Sequence, residues 1–72
     1  MDNLGEKLKK LRLEKGVTQK QIADYLSVTP HSVQRFEYGT NKPSLENIAK
    51  LADYFEVSTD YLLGRSDNPQ QH

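Results

Sequence analysis

The chain has 72 residues, no cysteine, and ten basic against ten acidic side chains, so its formal net charge is zero. That length predicts one domain near the lower limit for folding without staples, and the composition excludes disulfides and thiolate metal sites. Two histidines are too few for a structural zinc site, no apolar run exceeds three residues, and MDNLGEKLKK lacks the apolar stretch of a secretory signal, so a cytoplasmic protein without metal or cofactor is expected.

Five helices are predicted, with no strand pattern, repeat or low-complexity segment. In the first, Leu4, Leu8 and Leu11 recur at i, i+4, i+7 on one face. Lys7, Lys9, Lys10 and Lys15 fall on the other faces, and Gly16 ends it. Thr18 then opens Thr-x-x-Gln with Gln21, a capping-box pattern. A second start follows at Thr29-Pro30. Thr can cap, and Pro suits the first helical position because its missing N–H has no intrahelical partner there. The two caps lie so close that the second helix holds about two turns before the chain bends near Ser27 and restarts. Gly is the usual residue at such a bend; a non-Gly residue in the left-handed conformation costs roughly 1 kcal/mol. Gly39 ends the third helix, and Thr40-Asn41-Lys42-Pro43 forms a loop. Ser44 caps the fourth helix, with Leu45, Ile48, Ala49, Ala52 and Phe55 as its expected apolar face. Ser58 caps a short fifth helix, where Asp60 in the first turn suits the helix dipole and Gly64 stops it. Residues 65–72 are polar and are expected to form a flexible tail or the start of a linker.

Two short helices joined by a tight turn, with a polar outer face on the second, follow the plan of a helix-turn-helix, whose second helix enters the major groove of DNA. At 100° per residue, Val33, Phe36 and Glu37 share one side of the third helix. His31, Gln34, Arg35 and Tyr38 share the other, flanked by Ser32 and Thr29. Arg can make paired hydrogen bonds to guanine O6 and N7, and Gln to adenine N6 and N7. A polar helix face is ordinarily a solvated one; the cap-turn-cap spacing is what points to recognition. Charge agrees with this. From Lys7 to Lys42 there are eight Lys or Arg against three acids, whereas from Leu51 onward Arg65 stands alone against four. A domain with one basic end can hold phosphates there and repel them elsewhere. The expected core is Leu8, Leu11, Val17, Ile22, Ala23, Leu26, Val28, Val33, Phe36, Leu45, Ile48, Ala49, Ala52, Phe55, Val57 and Leu62.

The chain also resembles a known family. Lys15-Gly16-Val17-Thr18-Gln19, Ile22-Ala23, Val28-Thr29, Val33, Glu37-Tyr38-Gly39, Pro43-Ser44-Leu45 and Val57-Ser58-Thr59-Asp60-Tyr61-Leu62-Leu63 are similar to the lambda-repressor-like, Cro-type helix-turn-helix regulators over about residues 7–63. The resemblance implies a compact all-α domain of five helices over residues 1–64, with the motif at about 18–37. It implies that Gln19 contacts a phosphate and braces the recognition helix. Thr29, Pro30, His31, Ser32, Gln34 and Arg35 would meet bases and adjoining phosphates; Tyr38, Asn41 and Lys42 would meet the backbone. Arg12 and Glu37 match a charge pair joining the first helix to the end of the third. Two departures stand out. Ser27 replaces the usual Gly, and Pro30 sits where many relatives carry a polar base-reading residue.

The expected function is sequence-specific binding of double-stranded DNA by a bacterial or phage regulator, a repressor, acting as a dimer on a twofold operator. The dimer surface is expected on the acidic C-terminal segment, with Tyr54, Tyr61 and Leu63 supplying apolar contacts. The chain reads equally as a whole regulator or as the N-terminal part of a longer one. The alternative is a protein-binding module, such as an antitoxin that masks a toxin. An enzyme is not expected, since no paired carboxylates, nucleophile with base, or phosphate-cradling Gly loop occurs.

Overall fold

Local chemistry sets where each helix begins and ends. The structure, a computed structural model, describes residues 4–70. Five helices follow in order: α1 (Leu4–Lys15), α2 (Gln19–Leu26), α3 (Pro30–Tyr38), α4 (Leu45–Phe55) and α5 (Thr59–Leu62). No strand occurs among the described residues. The start signals are working caps. Thr18 Oγ1 accepts from the Gln21 amide at 3.1 Å, and Gln21 Oε1 accepts from the Thr18 amide at 2.8 Å, closing the capping box. Thr29 Oγ1 accepts from the Ser32 amide, Ser44 Oγ from Asn47, and Ser58 Oγ from Tyr61. Ser27 does adopt the left-handed conformation, with φ 60°, and Glu56 does so at the end of α4, with φ 56°.

The core gathers where α1, α2, α3 and α4 meet, and α5 closes it. Leu8, Ile22, Ala23, Val33, Leu51 and Leu62 are completely shielded, with Leu26, Phe36, Ile48, Ala52 and Val57 nearly so. Leu11, Val17, Val28 and Phe55 pack partly buried around them. Two expectations fail on α4. Leu45 is 82% exposed, Ala49 is exposed, and Leu51 takes the inward position instead. The buried stripe is Ile48, Leu51 and Ala52, rotated from the one the periodicity suggested. On α1, Lys7 is buried rather than peripheral. Its stem is shielded and its ammonium sits 4.1 Å from the Tyr61 ring centroid, a cation–π contact that ties α1 to α5.

The absence of a repeat, expected from sequence, is also corrected. Ile22-Ala23-Asp24-Tyr25-Leu26-Ser27-Val28-Thr29 and Leu51-Ala52-Asp53-Tyr54-Phe55-Glu56-Val57-Ser58 build the same elbow twice. In each, a left-handed residue closes the helix, and its following Val amide bonds the Ala carbonyl at 2.9 Å. In each, a hydroxyl residue caps the next helix. The matched tyrosines, Tyr25 and Tyr54, meet with ring centroids 4.7 Å apart. The sequence hides this kinship because only half the residues are identical in the two copies and the second helices diverge.

The C-terminal residues are tied at one point. The Ser58 amide donates to the Pro69 carbonyl at 2.9 Å, and the Ser58 hydroxyl donates to the Asn68 carbonyl at 3.3 Å. The segment expected to be a loose tail thus returns to the cap of α5 as far as Gln70. Its last two residues lie outside the described ones.

Candidate nucleic-acid interface

The α2–α3 elbow presents one continuous polar surface. Thr29 caps α3 with Pro30 at its first position, which fixes where the helix starts. Val33 and Phe36 then anchor it inward, with 0% and 5% of their surfaces exposed. Because those two positions define the inner face, His31, Arg35 and Tyr38 are turned outward, and Gln34 and Ser32 lie half-exposed on its flanks. The side chains of His31, Gln34, Arg35 and Tyr38 make no hydrogen bond or ion pair with other described residues. Their donors face solvent uncommitted. Thr29 and Ser32 differ, because their hydroxyls are 3.0 Å apart and share a hydrogen bond.

Glu37 holds this surface in place. Its side chain is 3% exposed, deep under the C-terminal end of α3. Arg12 Nε donates to Oε2 at 2.6 Å and Arg12 Nη2 to Oε1 at 3.3 Å, the paired grip that a planar guanidinium gives a carboxylate. Gln19 Nε2 donates to Oε1 at 3.0 Å. Arg12 also donates through Nη1 to the Val17 carbonyl at 3.1 Å, just before the α2 cap. One carboxylate therefore joins α1, the start of α2 and the end of α3. Arg12 and Glu37 form the pair expected of them, and Gln19 braces the recognition helix through a direct bond. Composition and periodicity placed Glu37 inward; nothing in them named Gln19 as its third donor.

Beyond α3 the loop is folded locally. The Arg35 carbonyl accepts from the amides of Thr40 and Asn41 at 3.1 and 3.3 Å and from the Thr40 hydroxyl. Asn41 Oδ1 accepts from the Lys42 amide at 3.1 Å, so only its NH₂ group remains to donate. Lys42 is exposed and has no ion-pair partner among the described residues. Arg35, Asn41 and Lys42 are thereby presented from one end of α3. Sequence inspection also missed Gly5. A Cβ there would lie 2.5 Å from the Glu37 carbonyl oxygen and 2.6 Å from that of Phe36, so α1 crosses the end of α3 at a separation only glycine permits.

The two elbows differ in what they show to solvent. The first carries Ser27, Pro30 and His31 where the second carries Glu56, Thr59 and Asp60. Only the first offers a polyanion a surface without carboxylates at those places.

Comparison with known proteins bears on the same residues. A family model described as helix-turn-helix matches residues 8–62. The uncharacterized, prophage-derived HTH-type transcriptional regulator YonR of Bacillus subtilis is 42% identical over 59 residues, which are 82% of this chain and 55% of that protein. A transcriptional regulator from Listeria innocua superposes with a TM-score of 0.84 at 37% identity, over 86% of this chain and 58% of that one. The P22 c2 repressor, in a complex with a synthetic operator, also gives 0.84, over 92% of this chain and 100% of its own; at 23% identity that likeness is one of fold. The chain spans about half the length of the curated relatives it matches. No helix among the described residues is long and apolar enough to cross a membrane. The capped elbow, its braced second helix and the match across nearly the whole domain agree: the chain belongs to the lambda-repressor-like, Cro-type helix-turn-helix family.

Proposed function

We propose that this chain is a sequence-specific binder of double-stranded DNA that regulates transcription in the cytoplasm as a repressor. It places α3 in the major groove, and two copies occupy a twofold-symmetric operator. The observation that carries the reading is the buried Arg12–Glu37–Gln19 cluster beneath an outer face whose His31, Gln34 and Arg35 have no hydrogen-bond or ion-pair partners among the described residues. A solvated face needs no such brace; a reading face gains from one, because donors held in place lose less freedom on binding.

Roles follow from position. Arg35 and Gln34 reach base edges, with His31 and Ser32 beside them on bases or adjoining phosphates. Pro30 offers an apolar contact of the kind a thymine methyl accepts. Thr29 and Gln19 meet the backbone where α2 and α3 begin, and Tyr38, Asn41 and Lys42 meet it beyond α3. A single helix reads only a few base pairs, too few to select a site in a genome, and a second copy one helical turn away doubles what is read.

Selecting bound sites from random duplex DNA tests the proposal. A palindromic consensus is expected. Arg35→Ala should relax preference at one base position by about 1–3 kcal/mol. Lys42→Ala should weaken all sequences alike and reduce the salt slope by about one unit. No enrichment over random sequence, or an Arg35→Ala protein with unchanged preference everywhere, would overturn it.

A further inference from the structure

Helices α2 to α5 each open on a hydroxyl cap, and one of these caps differs from the rest. Thr18, Thr29, Ser44 and Ser58 each accept from the amide three residues on, which belongs to Gln21, Ser32, Asn47 and Tyr61 in turn. Among the described residues, only at the start of α3 does the side chain at that place also bond the cap side chain: Ser32 Oγ lies 3.0 Å from Thr29 Oγ1. Gln21 turns instead to the Thr18 amide, and the Ser58 hydroxyl donates to the Asn68 carbonyl. A cap needs only one acceptor for the amide, so the Ser32 hydroxyl supplies nothing that capping requires. Thr29 is exposed and Ser32 half-exposed beside the outer face of α3, and neither hydroxyl has another hydrogen-bond partner among the described residues.

One proton and two lone pairs limit what each hydroxyl can do. One lone pair of Thr29 Oγ1 already takes the Ser32 amide. A phosphate oxygen only accepts, so Thr29 has to donate its proton to hold the DNA backbone at the start of α3. Ser32 is then the donor in the 3.0 Å contact, and its proton fills the second lone pair of Thr29. The opposite arrangement turns a lone pair of Thr29 toward the phosphate, which an anion disfavours. With its single proton committed, Ser32 Oγ can only accept. We infer that on DNA the Thr29–Ser32 pair makes Ser32 an acceptor-only reader, which selects a base carrying an exocyclic amino group, adenine through N6 or cytosine through N4. A free serine bonds donors and acceptors alike, and the coupling to Thr29 removes that ambiguity. Guanine and thymine present oxygen acceptors in the major groove, which would meet the Ser32 lone pairs head on. This inference rests on the reading that α3 enters the major groove with Thr29 at the backbone.

The test selects bound sites from random duplex DNA with the wild type, Ser32→Ala, Thr29→Val and Thr29→Asn, circular dichroism checking the fold of each. Preferences are compared position by position within one protein, so a change in overall affinity does not enter. The wild type should favour A or C over G or T by about fivefold to tenfold at one position of the strand read, the worth of a single hydrogen bond. Ser32→Ala should bring that position within about twofold of indifference and leave the other positions as they were. Thr29→Val keeps the shape and frees the Ser32 proton, so G and T should be accepted there as readily as A and C. Thr29→Asn should keep the wild-type preference, because Oδ1 can accept from both the amide and the hydroxyl of Ser32 while the NH₂ group donates to phosphate. A preference for G or T at the position that Ser32→Ala relaxes would overturn the inference, and so would a Ser32→Ala protein with no relaxed position. Loss of the preference in Thr29→Asn, or its survival in Thr29→Val, would equally overturn the coupling to Thr29. All four outcomes leave α3 in the major groove. A wild type that enriches no sequence would remove that reading and this inference with it.

Discussion

Replacing Arg12 by Met should unfold most of the protein. Glu37 accepts three hydrogen bonds, two from Arg12 and one from Gln19, and its side chain is 3% exposed. Without Arg12, a buried carboxylate keeps one neutral donor. Breaking a buried ion pair by removing one partner costs about 3–5 kcal/mol. A single small core supplies only about 3–5 kcal/mol in all. The measurement therefore needs a sturdier background, which Ser27→Gly with Glu56→Gly provides. Removing the carboxylate instead, by Glu37→Met, should cost less. Arg12 is 12% exposed, keeps the Val17 carbonyl at 3.1 Å, and can turn its free edge to water. The double variant, Arg12→Met with Glu37→Met, buries no unpaired charge, and apolar replacement of a whole buried pair is often nearly neutral. It should be more stable than Arg12→Met alone, with a coupling energy of at least about 2 kcal/mol. Urea unfolding followed by circular dichroism gives all four corners of the cycle. Additivity within roughly 0.5 kcal/mol would refute the reasoning and show that the two side chains are not coupled in stability.

Three further outcomes are expected. Gly5→Ala should destabilise by about 1–3 kcal/mol, since the added carbon meets the fixed carbonyls of Phe36 and Glu37; an unchanged melting temperature would show that α1 can lift away at no cost. Ser27→Gly and Glu56→Gly should each stabilise by about 1 kcal/mol by relieving left-handed strain, raising the melting temperature by roughly 4–8 °C apiece. Their effects should add, since each closes a different helix, and a loss of stability in either would contradict the strain argument. Lys7→Met should keep the packing of the stem and lose only the cation–π contact with Tyr61, costing about 1 kcal/mol or less in thermal unfolding, whereas Lys7→Ala should cost clearly more.

Sequence alone determined the parts of this protein that obey local rules. Thr18 with Gln21, Thr29 with Pro30, Ser44 and Ser58 fixed the helix starts, because a cap is formed by residues three apart whatever the rest of the chain does. Val33 and Phe36 fixed which way α3 faces, since no other large apolar residue on it could compete, and with that they turned Glu37 inward and His31 and Arg35 outward. Tertiary structure decided whatever depends on a distant partner. On α4, the stripe through Leu45, Ile48, Ala49 and Ala52 and the one through Ile48, Leu51 and Ala52 are about equally apolar. Only the placement of α1, α2 and α5 against the helix chose the second, which left Leu45 standing in the open. Lys7 reads as a surface charge until α5 brings the Tyr61 ring over it. Gly5 reads as an indifferent residue until the carbonyls of α3 arrive 2.5 Å from its missing Cβ. Gln19 reads as a helix-opening amide until Glu37, eighteen residues on, comes within 3.0 Å of it. Periodicity and capping are properties of one helix; burial, close approach and the third donor to a carboxylate belong to pairs of helices, and only packing makes the pairs.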